Sequence, residues 1–239
     1  MFQKVTACAA LALGLSMASG AASAATVDLS SFVNADIRTY TNGSVYPIAP
    51  TTLTVNGIGF GLIPDGAAPN SLGVIQTSGT DSFTIPVSLP GVTTVYTLIN
   101  SAFGANGDTT GSLVFTDAAN DTFTYNLTEG VNVRDHFNGA FINTASNLFG
   151  TATFTGPGGT DRLDAQQILL PSAFASSTLT QIVFNGINTG NPQGAPFLAA
   201  ITTSTVAVPE PATWALLLLG VGAIGAGLRI RREPRLAGA

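Results

Sequence analysis

An all-β fold is what this chain predicts, and three observations predict it. Apolar residues recur at every second position in short runs. In "TFTYNL" (122–127), Phe123, Tyr125 and Leu127 share one side, while Thr122, Thr124 and Asn126 share the other. Gly, Pro, Asn and Asp break these runs at short intervals. Between residues 26 and 206 no window sustains a 3.6-residue period beyond about one turn, "PSAF" (171–174) excepted. Many short strands at this spacing indicate a single β-sandwich or jelly roll, and the lack of an internal repeat disfavours a solenoid.

Taken in order, the expected strands are 27–33, 52–55, 58–62, 82–87, 93–99, 112–117, 122–127, 130–134, 149–154, 164–170, 179–184 and 197–206. In "SLVFTD" (112–117) the same alternation aligns Leu113 with Phe115. The intervening "AAND" makes this run and 122–127 a hairpin.

Charge is scarce. Only 9% of the 239 residues are charged, against 45% hydrophobic, and mean hydropathy is +0.38. Two apolar ends account for part of this, and a middle rich in Thr, Ser, Asn and Gly for the rest. The surface is therefore polar through hydroxyls and amides. The amino end has one basic residue, Lys4, an apolar stretch from Val5 to about Ala18, and then Ala22-Ser23-Ala24. That is the layout of a secretory signal peptide, residues 1–24, with removal expected after Ala24. Cys8 is the sole cysteine and goes with it, and almost no apolar run precedes it to support lipidation. The mature chain then has neither disulfides nor thiolate zinc sites, and residues 25–207 suffice for one domain with a sizeable core.

Within residues 25–207 three arginines (Arg38, Arg134, Arg162) face eleven carboxylates, a net charge of −8 without a single lysine. A phosphate backbone would be repelled, which argues against nucleic-acid binding.

The carboxyl end, residues 208–239, has a different character. Ala212 to Leu228 is an uncharged run of 17 residues, about 25 Å long as a helix. It ends at Arg229, Arg231 and Arg232, a basic stop that marks the cytoplasmic side and puts the ectodomain outside. With Trp214 at one edge and snorkelling arginines at the other, it is expected to span the membrane as one helix. Gly220, Gly222, Gly225 and Gly227 would let a second helix approach closely. Pro209 and Pro211 hold Glu210 in an extended, rigid segment just outside the bilayer.

Pro209, Glu210, Pro211, Trp214 and Ala215, followed by this helix and its basic end 229–239, resemble the PEP-CTERM sorting signal in its Pro-Glu-Pro-x-x-Trp-Ala variant. The resemblance implies a Gram-negative exporter, an exosortase that recognises and cleaves the tail, and extracellular polysaccharide or biofilm surroundings. It covers about the last 30 residues and is silent on the ectodomain. There, the phrases "VYTLINSAFG", "NLTEGVNVRDHFNG", "RLDAQQILLPSAF" and "LAAIT" between residues 95 and 202 resemble an uncharacterised exported domain. Its nearest well-known architecture is the galactose-binding-like jelly roll.

Two clusters concentrate the scarce charge. One holds Arg134, Asp135 and His136; the other holds Asp161, Arg162, Asp164, Gln166 and Gln167. Arg–Asp bridges that pin loops to the sandwich edge are one reading. A sugar site on Arg134, Asp135, His136, Arg162 and Asp164, with Phe137 or Tyr125 as a stacking face, is another. Calcium held by Asp oxygens and carbonyls is the third, and the acidic turns "NGDTTG" (106–111) and "TDAANDT" (116–122) allow it as well, although Asx-turns are commoner there.

No catalytic set stands out. His136 is the only histidine, no Gly-x-Ser-x-Gly elbow presents a nucleophile, and the glycines fit no phosphate loop. The expectation is an exported, non-enzymatic surface or matrix protein without a required cofactor. It would be anchored transiently in the inner membrane with its ectodomain in the periplasm, and then released to the cell surface or medium. Extracellular polysaccharide is the expected ligand. The alternatives are a purely adhesive matrix protein and a glycan hydrolase with two carboxylates about 5 to 10 Å apart.

Overall fold

A computed structural model describes residues 24–39, 45–64, 71–187, 194–205 and Val221. The chain divides into two units. One is Ala22–Val206; the other, Met1–Ala21 with Ala207–Ala239, lies outside the described residues apart from Val221. The signal peptide, the helix 212–228, the sorting residues Pro209, Glu210, Pro211, Trp214 and Ala215, and the stop Arg229, Arg231 and Arg232 thus fall outside them, save Val221 and Ala24. Among the described residues no helix is long and apolar enough to cross a membrane.

Ala22–Val206 is all-β. Its strands are β1 (Ala24–Thr26), β2 (Ala35–Asp36), β3 (Thr51–Val55), β4 (Ile58–Leu62), β5 (Gly73–Gln76), β6 (Ser82–Pro90) and β7 (Val92–Ala102). They continue with β8 (Thr109–Asp117), β9 (Thr122–Thr128), β10 (Gly150–Gly156), β11 (Gly159–Leu169), β12 (Thr178–Gly186) and β13 (Ala195–Thr205). Seven form one antiparallel sheet in the order β10-β11-β7-β13-β5-β2, with β1 also paired to β13. Four form a second, β6-β12-β8-β9, and β3-β4 is a separate hairpin.

The pleat sends alternate side chains of the large sheet into two different cores. Val95 and Ile99 of β7, Ile168 of β11, and Leu198 and Ile201 of β13 meet Ile85, Leu113, Phe115, Leu127, Ile182 and Phe184 of the four-stranded sheet. Their neighbours Tyr96, Leu98, Leu163, Ala165 and Phe197 point the other way and pack with Val55, Phe60 and Leu62 of the β3-β4 hairpin. A register shift between Leu198 and Ala200 explains why Ala199 and Ala200 both join that second core. Burial on both faces favours apolar residues on both sides of a strand, as in Phe197–Ile201 of β13, while the buried Thr97, Asn100, Thr202 and Thr203 are each hydrogen-bonded.

The β8-β9 hairpin forms as its alternation requires, with Leu113 opposite Tyr125 and Phe115 opposite Phe123. "PSAF" opens a short 3-10 turn, Ser172–Ser176. Two expected strands are turns instead. At 27–33, Asp28 Oδ1 accepts from the Ser30 amide at 2.9 Å and bends the chain. At 130–134, Gly130 turns with φ of 79°, and Asn132 supplies the pairing a strand neighbour would: Oδ1 accepts from Thr128 N and Nδ2 donates to Asn126 O, both at 2.8 Å. β1, β2 and β5 were not expected, and β11 begins at Gly159 rather than at 164.

Candidate functional site

The charged clusters meet because strands part. β11 pairs with β7 only from Ala165 onward, so beyond that point a gap opens between β7 and the start of β11. Residues 134–138 fill it. Ser101 N donates to Arg134 O at 3.0 Å and His136 N to Ser101 O at 2.9 Å. On the other side Arg162 N donates to His136 O at 2.9 Å and Asn138 N to Thr160 O at 3.0 Å. Arg134, Asp135 and His136 are thereby interleaved with Arg162 and Asp164.

Asp164 is wholly buried and saturated with donors. Arg134 grips it with Nε at 2.8 Å and Nη2 at 2.9 Å, one on each oxygen. Thr151 Oγ1 at 2.6 Å and Asn100 Nδ2 at 2.7 Å complete the shell. The hydrogen bond to Asp164 raises the Arg134 pKa. Among the described residues Arg162 makes no carboxylate pair of this kind. It donates to the carbonyls of Asp135 and Phe137 at 3.0 Å and to the Asn143 side chain, while Arg134 Nη1 holds the Asn143 carbonyl at 2.9 Å. Burial lowers the Arg162 pKa, with neighbouring Arg134 adding to the effect. The two guanidiniums thus clamp the loop 135–143 by its carbonyls.

Asp135 in turn shapes a cavity. Its Oδ2 accepts from Phe103 N at 3.1 Å and its Oδ1 from Phe137 N at 2.7 Å, while burial raises its pKa against these bonds and Arg162. Phe103, just past β7, is held at φ of 72°, a conformation that costs a residue with a side chain on the order of 1 kcal/mol. Its ring is nonetheless half exposed and meets Phe141 edge to face with centroids 4.8 Å apart. Phe103, Phe137, Phe141, Ala102, Asp135 and His136 line a cavity of about 440 Å³. Arg134, Arg162 and Asp164 are not among its lining residues.

His136 is buried, and its Nδ1 lies 2.8 Å from the Tyr46 hydroxyl. Burial, reinforced by Arg162 and opposed by Asp161, lowers its pKa to about 4, so the ring is neutral near pH 7. Asp161 accepts from Val45 N at 3.0 Å. Gln166 Nε2 bonds the carbonyls of Ile99 and Asn132, and Gln167 reaches Tyr96 Oη at 3.2 Å. Tyr125 packs on the first core and does not line the cavity. In the turn 116–122, Asp117 Oδ1 accepts from the amides of Ala119 and Asp121 at 2.9 Å, an Asx-turn. Among the described residues no group of three or more His, Cys, Asp or Glu side chains is placed to hold a metal ion.

Sequence reasoning found Asp135, His136 and Phe137 but missed Phe103 and Phe141. The only signal for Phe103 is its place before Gly104, itself at φ of 108°.

Residues 207–232 match the PEP-CTERM protein-sorting motif. The match implies export, membrane anchoring and an exosortase as the processing partner. It covers the tail alone. No match was found among curated proteins or among solved structures.

Proposed function

We propose that this chain is an exported, non-enzymatic surface or matrix protein that is tethered briefly in the inner membrane, cut by an exosortase and released to bind extracellular polysaccharide. Sugar would enter the cavity that Phe103 and Phe141 line. The supporting observation is the backbone of Phe103. A residue with a side chain rarely adopts a positive φ unless its surroundings impose it, and such outliers cluster at binding sites. Here a buried carboxylate, Asp135, imposes it and leaves an aromatic face toward the cavity. Aromatic rings take the apolar face of a sugar, while the polar groups of Asp135 and His136 suit its hydroxyls. Arg134, Arg162 and Asp164 serve by holding the loop that carries this wall. In the same proposal the two facing sheets belong to the galactose-binding-like jelly rolls.

The test is retention of the full chain, in mild detergent, on polysaccharide from its own host. Phe103→Ala and Phe141→Ala are expected to lower retention by roughly 5- to 150-fold, since each removes about 1 to 3 kcal/mol of stacking, with thermal midpoints near the wild-type value. Retention unchanged in both variants refutes the cavity as the sugar site. An adhesive reading has its own support: the outer side of the four-stranded sheet presents Ser82, Thr84, Thr124 and Asn126 without a charged neighbour in those registers. Retention lost through that face instead would favour it.

A further inference from the structure

A buried carboxylate beneath the Phe103–Gly104 turn is used by nothing described so far. Glu129 follows β9; its side chain is fully buried, and neither carboxylate oxygen has a hydrogen-bond partner among the described residues. Two glycines make room for it. A Cβ on Gly104 would stand 2.8 Å from both oxygens, and one on Gly194 would stand 2.2 Å from Oε1. The Thr110 hydroxyl donates to the Gly194 carbonyl, so two neutral oxygens gather beside that glycine. The acidic turn 106–111 is tied in through its backbone: Glu129 N donates to Asp108 O and Gly107 N to Glu129 O, both at 2.9 Å.

An ionised carboxylate in dry surroundings costs several kcal/mol unless something neutralises it. The guanidiniums of Arg134 and Arg162 are committed to Asp164 and to loop carbonyls. Ser101 lies near enough to favour the ionised form, yet its hydroxyl is directed to the Phe103 carbonyl at 3.2 Å. Burial above all, and then the charges of Asp135 and Asp108, push the Glu129 pKa up to about 7. Among the described residues the surroundings offer oxygens and negative charge but no donor aimed at the carboxylate.

We infer that Glu129 anchors a site for a hard divalent cation of the calcium type, completed by the oxygens of Thr110 and Gly194 and by water. One buried carboxylate with neutral oxygens is a modest ligand set, suited to the weak sites of extracellular modules, whose dissociation constants run from roughly 0.1 to 1 mM. The bound cation would steady the strained turn directly above it. The inference stands apart from the sugar reading, because its test measures stability.

Thermal unfolding of the full chain in mild detergent near pH 8, where Glu129 is ionised, is compared with chelator and with a few millimolar calcium or magnesium. Calcium is expected to raise the midpoint by several degrees and to saturate in the range of roughly 0.1 to 1 mM; magnesium is expected to do less. Glu129→Gln should fold with at least the stability of the chelated wild type and show no calcium response. Thr110→Val should weaken the response several-fold, which provides a second reading if the first variant folds poorly. A calcium response that survives in Glu129→Gln, or an unchanged affinity in Thr110→Val, overturns the site. So does a wild-type midpoint that ignores calcium but falls between about pH 5 and pH 8, because a proton then neutralises Glu129.

Discussion

Arg134 and Asp164 form a two-pronged ion pair at 2.8 and 2.9 Å, and the acid in it is completely shielded from water. Arg134→Ala leaves that acid with Asn100 and Thr151 as its remaining side-chain donors. A loss of about 3 kcal/mol is expected, the usual result of stripping one partner from a buried pair. For a domain of this size the thermal midpoint should drop by roughly 6 to 12 °C. Arg134→Lys should recover part of the loss, because an ammonium cannot span both oxygens as a guanidinium does. Urea unfolding of the three proteins checks both statements.

His136 makes stability depend on acid. The unfolded chain binds a proton at this residue near the ordinary histidine value of 6.5, whereas burial delays uptake in the folded chain to about 4. Its contribution is therefore complete above pH 6.5 and is lost as pH falls toward 4, by about 3 kcal/mol across the window. The groups facing the ring include Tyr46, Asp161, Arg162 and the edge-on ring of Phe197. In His136→Gln this part of the pH slope should vanish. The difference between wild-type and variant unfolding free energies at several pH values isolates it, and a constant difference would contradict the assignment.

Relieving Phe103 should separate stability from binding. Phe103→Gly removes the penalty of a φ of 72° along with a half-exposed ring. Stability is expected to hold or to rise by up to about 1 kcal/mol, while polysaccharide retention disappears. Calorimetry beside the retention assay shows whether the ring is there to bind or to pack.

Two glycines should differ sharply. A Cβ at Gly186 would lie 2.3 Å from the Cβ of buried Thr77, inside the packed sheets, and Gly186→Ala is expected to cost about 2 kcal/mol or more. At Gly57, φ is 83° but nothing lies within 4 Å, so Gly57→Ala should cost about 1 kcal/mol. Denaturant midpoints of both variants test the ranking.

The strands that alternate cleanly were legible from the residues alone. Thr122 to Leu127 shows its period because one side meets a core and the other meets solvent. β5 was not, since a four-residue strand with three consecutive buried residues carries no alternation to read. The start of β11 was hidden for a different reason. "TDRLD" looks like a polar loop, yet Asp161, Arg162 and Asp164 are buried there by partners 13 to 116 residues away in sequence. The charged clusters of the site were visible because charge is rare in this chain. Phe103, Phe141 and Glu129 were not, because a positive φ, an edge-to-face ring pair and an orphaned carboxylate arise only when distant segments close on one another.

In the proposed reading the tail decides where the ectodomain works. Glu210 lies between two prolines within the matched sorting motif, and the account has an exosortase cut this segment and free the domain. Glu210→Ala should leave the chain in the inner-membrane fraction. Intact-mass spectrometry of the protein released by its native host is the most direct measurement. A carboxyl terminus within or before the apolar run, without Arg229 to Ala239, is expected; a released chain still ending at Ala239 would mean that the tail is not removed.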